Sequence, residues 1–128
     1  MSYYFVKNLD RSFDDTRAYV EEELMKYGFG VVSEINLHEK FKAKLNIDFR
    51  RYKILGACSP KHAHKAITVE EHIGLMLPCN ILLQEVNSGE TKVSVIDPIA
   101  SMKAVENPAL EDTASEIQNS LKEFVNNL

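Results

Sequence analysis

Cysteine and histidine are the side chains of this sequence best suited to nucleophilic, redox or metal chemistry, and they gather in one segment. Both cysteines, Cys58 and Cys79, and three of the four histidines, His62, His64 and His72, fall between Ile54 and Asn80. A thiol placed just before a helix feels the positive end of that helix, which favours the thiolate. Cys58, followed by Ser59-Pro60, has that placement, so it is the candidate nucleophile or redox group, with Cys79 and His62 as its candidate assistants. The competing reading makes both cysteines small apolar side chains on the core face. That reading is favoured by the lack of a Cys-x-x-Cys pair and of an acidic neighbour in sequence that would orient a histidine.

The same segment offers two kinds of binding. Helix N-terminal donors beside Cys58, Ser59, Pro60, His62, Pro78 and Asn80 suit a small apolar or anionic ligand. Metal binding is not expected, since His62 and His64 are two apart and point away from one another on a helix, where chelating pairs sit three or four apart. At most, His62, His64 and His72 bind zinc or nickel adventitiously, and no cofactor is expected.

Composition narrows the function classes. A chain of 128 residues with 45% apolar side chains builds an ordinary core without disulfides, and is expected to form one domain over 1–128. Fifteen basic against nineteen acidic residues, a net charge of -4, give no electrostatic reason to approach nucleic acid or an anionic membrane. Met-Ser-Tyr-Tyr-Phe-Val-Lys-Asn lacks the form of a signal peptide, and no apolar run is long enough to cross a bilayer, so a cytoplasmic protein with reduced thiols is expected.

The elements that must position these residues follow from periodicity. Tyr3 to Lys7 reads as a strand, and Ser12 with Asp15 starts a helix over about 13–27 that Gly28 ends. Phe29 to Leu37 is a second strand, and Leu37, Phe41 and Leu45 mark a short helix over 38–45. Arg51 to Cys58 is a third strand, followed by a helix from Pro60 to about Val69 with Ser59 as its cap. Ile81–Val86 and Thr91–Asp97 form a hairpin through Asn87-Ser88-Gly89-Glu90, whose glycine can take positive φ. Asp97-Pro98 reads as a turn in which Asp97 bonds nearby amides, and Asn107 caps a last helix opened by Pro108. The order β-α-β-α-β-α-β-β-α predicts a single α+β unit.

The pieces Gly28-Phe29-Gly30, Ile54-Leu55-Gly56-Ala57-Cys58-Ser59-Pro60, His62-Ala63 and Gly74-Leu75-Met76-Leu77-Pro78-Cys79-Asn80 carry a resemblance. Together the chain resembles the domain-of-unknown-function family 302, from its first strand to Asp97-Pro98. The resemblance implies a curved antiparallel sheet with helices on one face, a β-α-β(4)-α core like one repeat of a TATA-binding protein, and homodimers. It implies no established activity, and a fold shared with a DNA-binding saddle is no evidence of DNA binding.

Alternation sorts the sheet faces. Tyr52, Ile54, Gly56 and Cys58 share one face of the third strand, and Lys53, Leu55 and Ala57 the other. Cys79, Ile81, Leu83, Val93 and Val95 form the apolar face, while Asn80, Leu82, Gln84, Lys92, Ser94 and Ile96, with Leu55, form a mixed one. The mixed face is read as a dimer interface, an ordinary exposed surface or a ligand surface. Two functions follow: a small homodimeric binding module with a pocket near 56–64 and 77–80, or a thiol-dependent redox or sulfur-handling protein using Cys58 with Cys79.

Overall fold

Period-two alternation of apolar and polar residues in the C-terminal hairpin sets one apolar face against the helices, and the rest of the architecture is built around it. The computed structural model describes residues 2–128. Its elements are β1 (Tyr4–Leu9), α1 (Phe13–Met25), β2 (Gly30–Asn36), α2 (Leu37–Leu45), β3 (Tyr52–Cys58), α3 (Pro60–Val69), β4 (Cys79–Asn87), β5 (Glu90–Ile96), α4 (Pro98–Ser101) and α5 (Glu111–Asn126), with 3-10 turns at Glu71–Met76 and Pro108–Leu110. The strands form one five-stranded sheet in the order β1-β5-β4-β3-β2, with every neighbouring pair antiparallel.

The helices lie on one side of this sheet. Ile81, Leu83, Val93 and Val95 are fully buried against Val20 and Leu24 of α1 and Leu121 and Phe124 of α5. A smaller cluster of Ala66, Ile73, Met102, Leu110 and Ala114 joins α3 to the foot of α5. Ser12 caps α1 by accepting from the Asp15 amide at 3.2 Å, and Gly28 takes φ +83° where the chain leaves the helix, a conformation open to glycine without a Cβ clash. Lys7 crosses to the C-terminal end of α5, where its Nζ donates to the carbonyls of Leu128 (2.7 Å) and Asn126 (3.2 Å).

Three expectations are corrected, and one conformation open to the hairpin turn is not used. Leu55 stands opposite Ile81 and is fully buried, so it belongs to the core face; Ile54, opposite Leu82, takes its place on the mixed face. Gly89 does not adopt positive φ, and the Asn87 side chain supports the turn by accepting from the Gly89 amide at 3.0 Å. Ser59 sits at the N-cap of α3 but its hydroxyl makes no capping bond. Asn107 caps a 3-10 turn by accepting from the Ala109 amide, and the last α-helix begins only at Glu111. Asp97 does bond nearby amides: it accepts from Ile99 and opens α4.

Candidate functional site

The end of β3 and the start of β4 bring the two thiols to the same end of the sheet, with Ala57 opposite Cys79 and Cys58 one residue further. Only Cys79 is a core side chain; Cys58 is half-buried and belongs by alternation to the other face, so the expectation of two core cysteines holds for one. Burial, and to a lesser degree the neighbouring Cys58, pushes the Cys79 thiol up to about 11. At pH 8 on the order of one Cys79 in a thousand is then thiolate, the reactive form. Alkylation of the native protein, read by mass spectrometry, is therefore expected to modify Cys58 well before Cys79. Equal rates would show that Cys79 is not held in the core.

Ser59 and His62 meet through proximity in α3. Ser59 Oγ lies 2.7 Å from His62 Nδ1, and His62 Nε2 lies 3.0 Å from Glu116 Oε2 on α5. A carboxylate at Nε2 favours the proton there, which leaves Nδ1 to accept from the serine hydroxyl. Serine, imidazole and carboxylate in series are the parts of nucleophilic catalysis. Here they lack room: Ser59 is 8% exposed, and the space lined by Cys58, Ser59, His62, Pro78 and Cys79 is about 20 Å³, enough for about one water. The chain of bonds ties α3 to α5. Glu116 is 54 residues from His62, so the sequence held no local sign of this acidic partner.

The remaining sequence candidates scatter. Pro60, His64 and His72 are exposed, and Asn80 points to the opposite face from Cys79. Among the described residues no three of histidine, cysteine, aspartate and glutamate converge to hold a metal ion. His38, outside the segment, accepts from the Tyr52 amide through Nδ1 at 2.9 Å and so fixes α2 to the start of β3.

The larger recess is on the open side of the sheet. A broad hollow of about 750 Å³ runs across β3, β4, β5 and β1 and includes Asn80, Leu82, Gln84, Lys92, Ser94 and Ile96 of the mixed face. Register lays its side chains in rows. Tyr52, Gln84, Lys92 and Asn8 form a polar row, and Ile54, Leu82, Ser94 and Val6 a more apolar one beside it. Arg50 is fastened over the polar row: Nε and Nη2 both donate to Gln84 Oε1, at 3.0 and 2.8 Å, and the guanidinium lies over the rings of Phe49 (4.4 Å) and Tyr52 (5.8 Å). Among the described residues the hollow has no carboxylate in its lining. Tyr3, Tyr4, Val6, Lys7, Asn8 and Arg50 are the members that sequence reading missed. The first strand had no assigned face, and Arg50 precedes its strand.

The comparisons with known proteins agree with this architecture. The family model described as "Domain of unknown function DUF302" matches residues 5–128. Among solved structures, one titled as the crystal structure of uncharacterized conserved protein DUF302 from Bacillus stearothermophilus is 25% identical, with 98% of each chain covered and a TM-score of 0.88. No curated protein matches. A family match over all but a few residues at the start, joined to a fold shared along 98% of a solved structure titled DUF302, establishes that the chain belongs to the DUF302 family.

Proposed function

We propose that this protein is a small binding module that works as a homodimer, takes its ligand on the open sheet face and carries out no covalent chemistry of its own. The observation that supports it is the contrast between the two recesses: about 750 Å³ of accessible, mixed polar and apolar surface on the open face, against about 20 Å³ at the only serine, imidazole and thiol cluster among the described residues. Ligand sites combine apolar surface with a few placed polar groups, which is the composition of the open face. This moves the expected ligand surface away from Cys58, Ser59 and His62 and keeps Asn80.

Residues 1–128 act as one unit in this reading, and the likeness to a single TATA-binding-protein repeat is part of it. A homodimer is supported by apolar side chains left exposed along β2, α2 and the segment after it, Val32 (63%), Leu45 (62%) and Ile47 (48%). Residence in the cytoplasm is supported by two unpaired thiols. Among the described residues no helix is long and apolar enough to cross a membrane. Thiol chemistry is the weaker reading, since a Cys79 thiol raised to about 11 is a poor partner for exchange.

Two measurements test the proposal. Light scattering at micromolar concentration is expected to return twice the 14.6 kDa chain mass, and a single-chain mass removes the dimer. Amide shift mapping against mixtures of small organic molecules is expected to move signals along Asn80–Gln84 and Lys92–Ile96. Shifts centred on Cys58–His62 instead would return the site to the α3 end.

A further inference from the structure

Building on the reading of the open face as the ligand surface, we infer that its ligand is an amphiphilic carboxylate, with the head held by Arg50 and Lys92 and the apolar body laid along the strands toward Tyr4 and Ile96. Three observations carry this. The first is charge. A chain of net charge -4 has gathered Arg50 and Lys92 at one end of a hollow with no carboxylate in its lining among the described residues. Such local reversal of sign favours an anion and disfavours a cation.

The second is preorganisation. Gln84 stands between the two cations, opposite Tyr52 on one side and Lys92 on the other. Directly opposed side chains start about 5 Å apart, so Lys92 and the Arg50 guanidinium bonded to Gln84 reach one oxyanion above it. Two of the five guanidinium N–H groups are spent on Gln84 Oε1, and the planar group is braced on Phe49 and Tyr52. The remaining donors keep the fork that matches a carboxylate.

The third is the gradient along the strands. Two residues on from Lys92 and Gln84 lie Ser94 and Leu82, with Val6 beside Ser94; two further lie Ile96 and Asn80, with Tyr4 beside Ile96. The cationic row thus gives way over about 13 Å of strand to an uncharged surface in which Leu82, Val6, Ile96 and Tyr4 supply the apolar area and Ser94 and Asn80 interrupt it. Tyr4 and Val6 are 42% and 48% exposed, so this surface is uncovered in the isolated chain. A short polar anion would use only the first row, and a neutral apolar molecule only the rest. A chain with a carboxylate at one end uses both.

The test is a titration of the full-length protein with decanoate, followed by calorimetry and amide shift mapping. Saturable binding of one decanoate per chain is expected, with shifts along Leu82–Gln84 and Lys92–Ile96. Acetate and the uncharged 1-decanol should each bind at least about tenfold more weakly, as loss of a charge-assisted hydrogen-bond pair predicts. The pair Arg50→Gln, at an exposed site, and Lys92→Gln, at a half-buried one on the open face, should weaken decanoate by a similar factor without loss of folding. Equal affinity for 1-decanol, an unaffected double variant, or capture by phosphatidylglycerol vesicles in place of free decanoate would each overturn the inference. If decanoate is silent while other small molecules still shift this face, the ligand class fails and the binding surface stands; if nothing shifts it, both fail.

Discussion

Replacing Phe124 with alanine is expected to destabilise the protein by about 3–5 kcal/mol, the cost of emptying a well-packed aromatic site. Phe124 is 1% exposed, lies in the cluster that joins α5 to the sheet, and meets the Tyr27 ring edge-on at 6.3 Å. Aromatic pairs in that arrangement add about 0.5–1.5 kcal/mol to simple burial, so the loss belongs in the upper part of the range. Urea unfolding should show a lower midpoint with an unchanged slope. Leu75, 84% exposed in the turn before β4, is the control, and its alanine variant should unfold with the parent. A Phe124→Ala midpoint within experimental error of the parent would mean that α5 does not rest on the sheet as described.

The second large effect has opposite signs at the two ends of one ion pair. Lys53 projects into the core face, 8% exposed, and its Nζ is 3.0 Å from Glu34 Oε2; the other Glu34 oxygen accepts from Arg17 Nε at 2.7 Å. Glu34→Ala strands a buried ammonium. Such losses reach about 3–5 kcal/mol for fully buried pairs, and solvent at the Glu34 carboxylate reduces this to about 1–3 kcal/mol. Lys53→Met removes the charge that needs compensation and should be neutral or stabilising. Burial acts to raise the Glu34 carboxyl, but hydrogen bonds and charge from Arg17 and Lys53 outweigh it and hold the group below its ordinary value. A depressed carboxyl contributes stability above its unfolded value and loses it as pH falls through the folded one. Acid unfolding of Glu34→Ala should accordingly show a flatter limb there. Lys53→Met weaker than Glu34→Ala would contradict the burial of the ammonium.

What could be read without coordinates divides by distance along the chain. Hairpin β4–β5, the amphipathic α1 and the Pro60 start of α3 follow from local signals: alternation, Ser12 with Asp15, and a proline at the first helical position. Leu55 was misplaced because its strand reads as a continuous apolar run, Ile54-Leu55-Gly56-Ala57-Cys58, and only pairing with Ile81 decides which face it takes. The 3-10 turn at Glu71–Met76 has no periodic stripe to announce it. The mixed face was legible on β4 and β5, whereas its Arg50 clasp depends on a side-chain contact across 34 residues. Likewise the Ser59–His62 contact is local and Glu116 is not.

Strand order also bears on how the chain is made. β1 is synthesised first, yet its partner β5 ends at Ile96, and Tyr4 pairs with that residue. A nascent chain exposing residues up to Cys58 can pair β2 with β3 and nothing else, while the apolar side of β1 waits for the hairpin that must slot between it and β3. Long-range pairing of this kind is slow and leaves an unpaired edge open to other chains. Ribosome-bound fragments ending before Glu90 should therefore associate readily with one another, and those that include Ile96 should stop doing so.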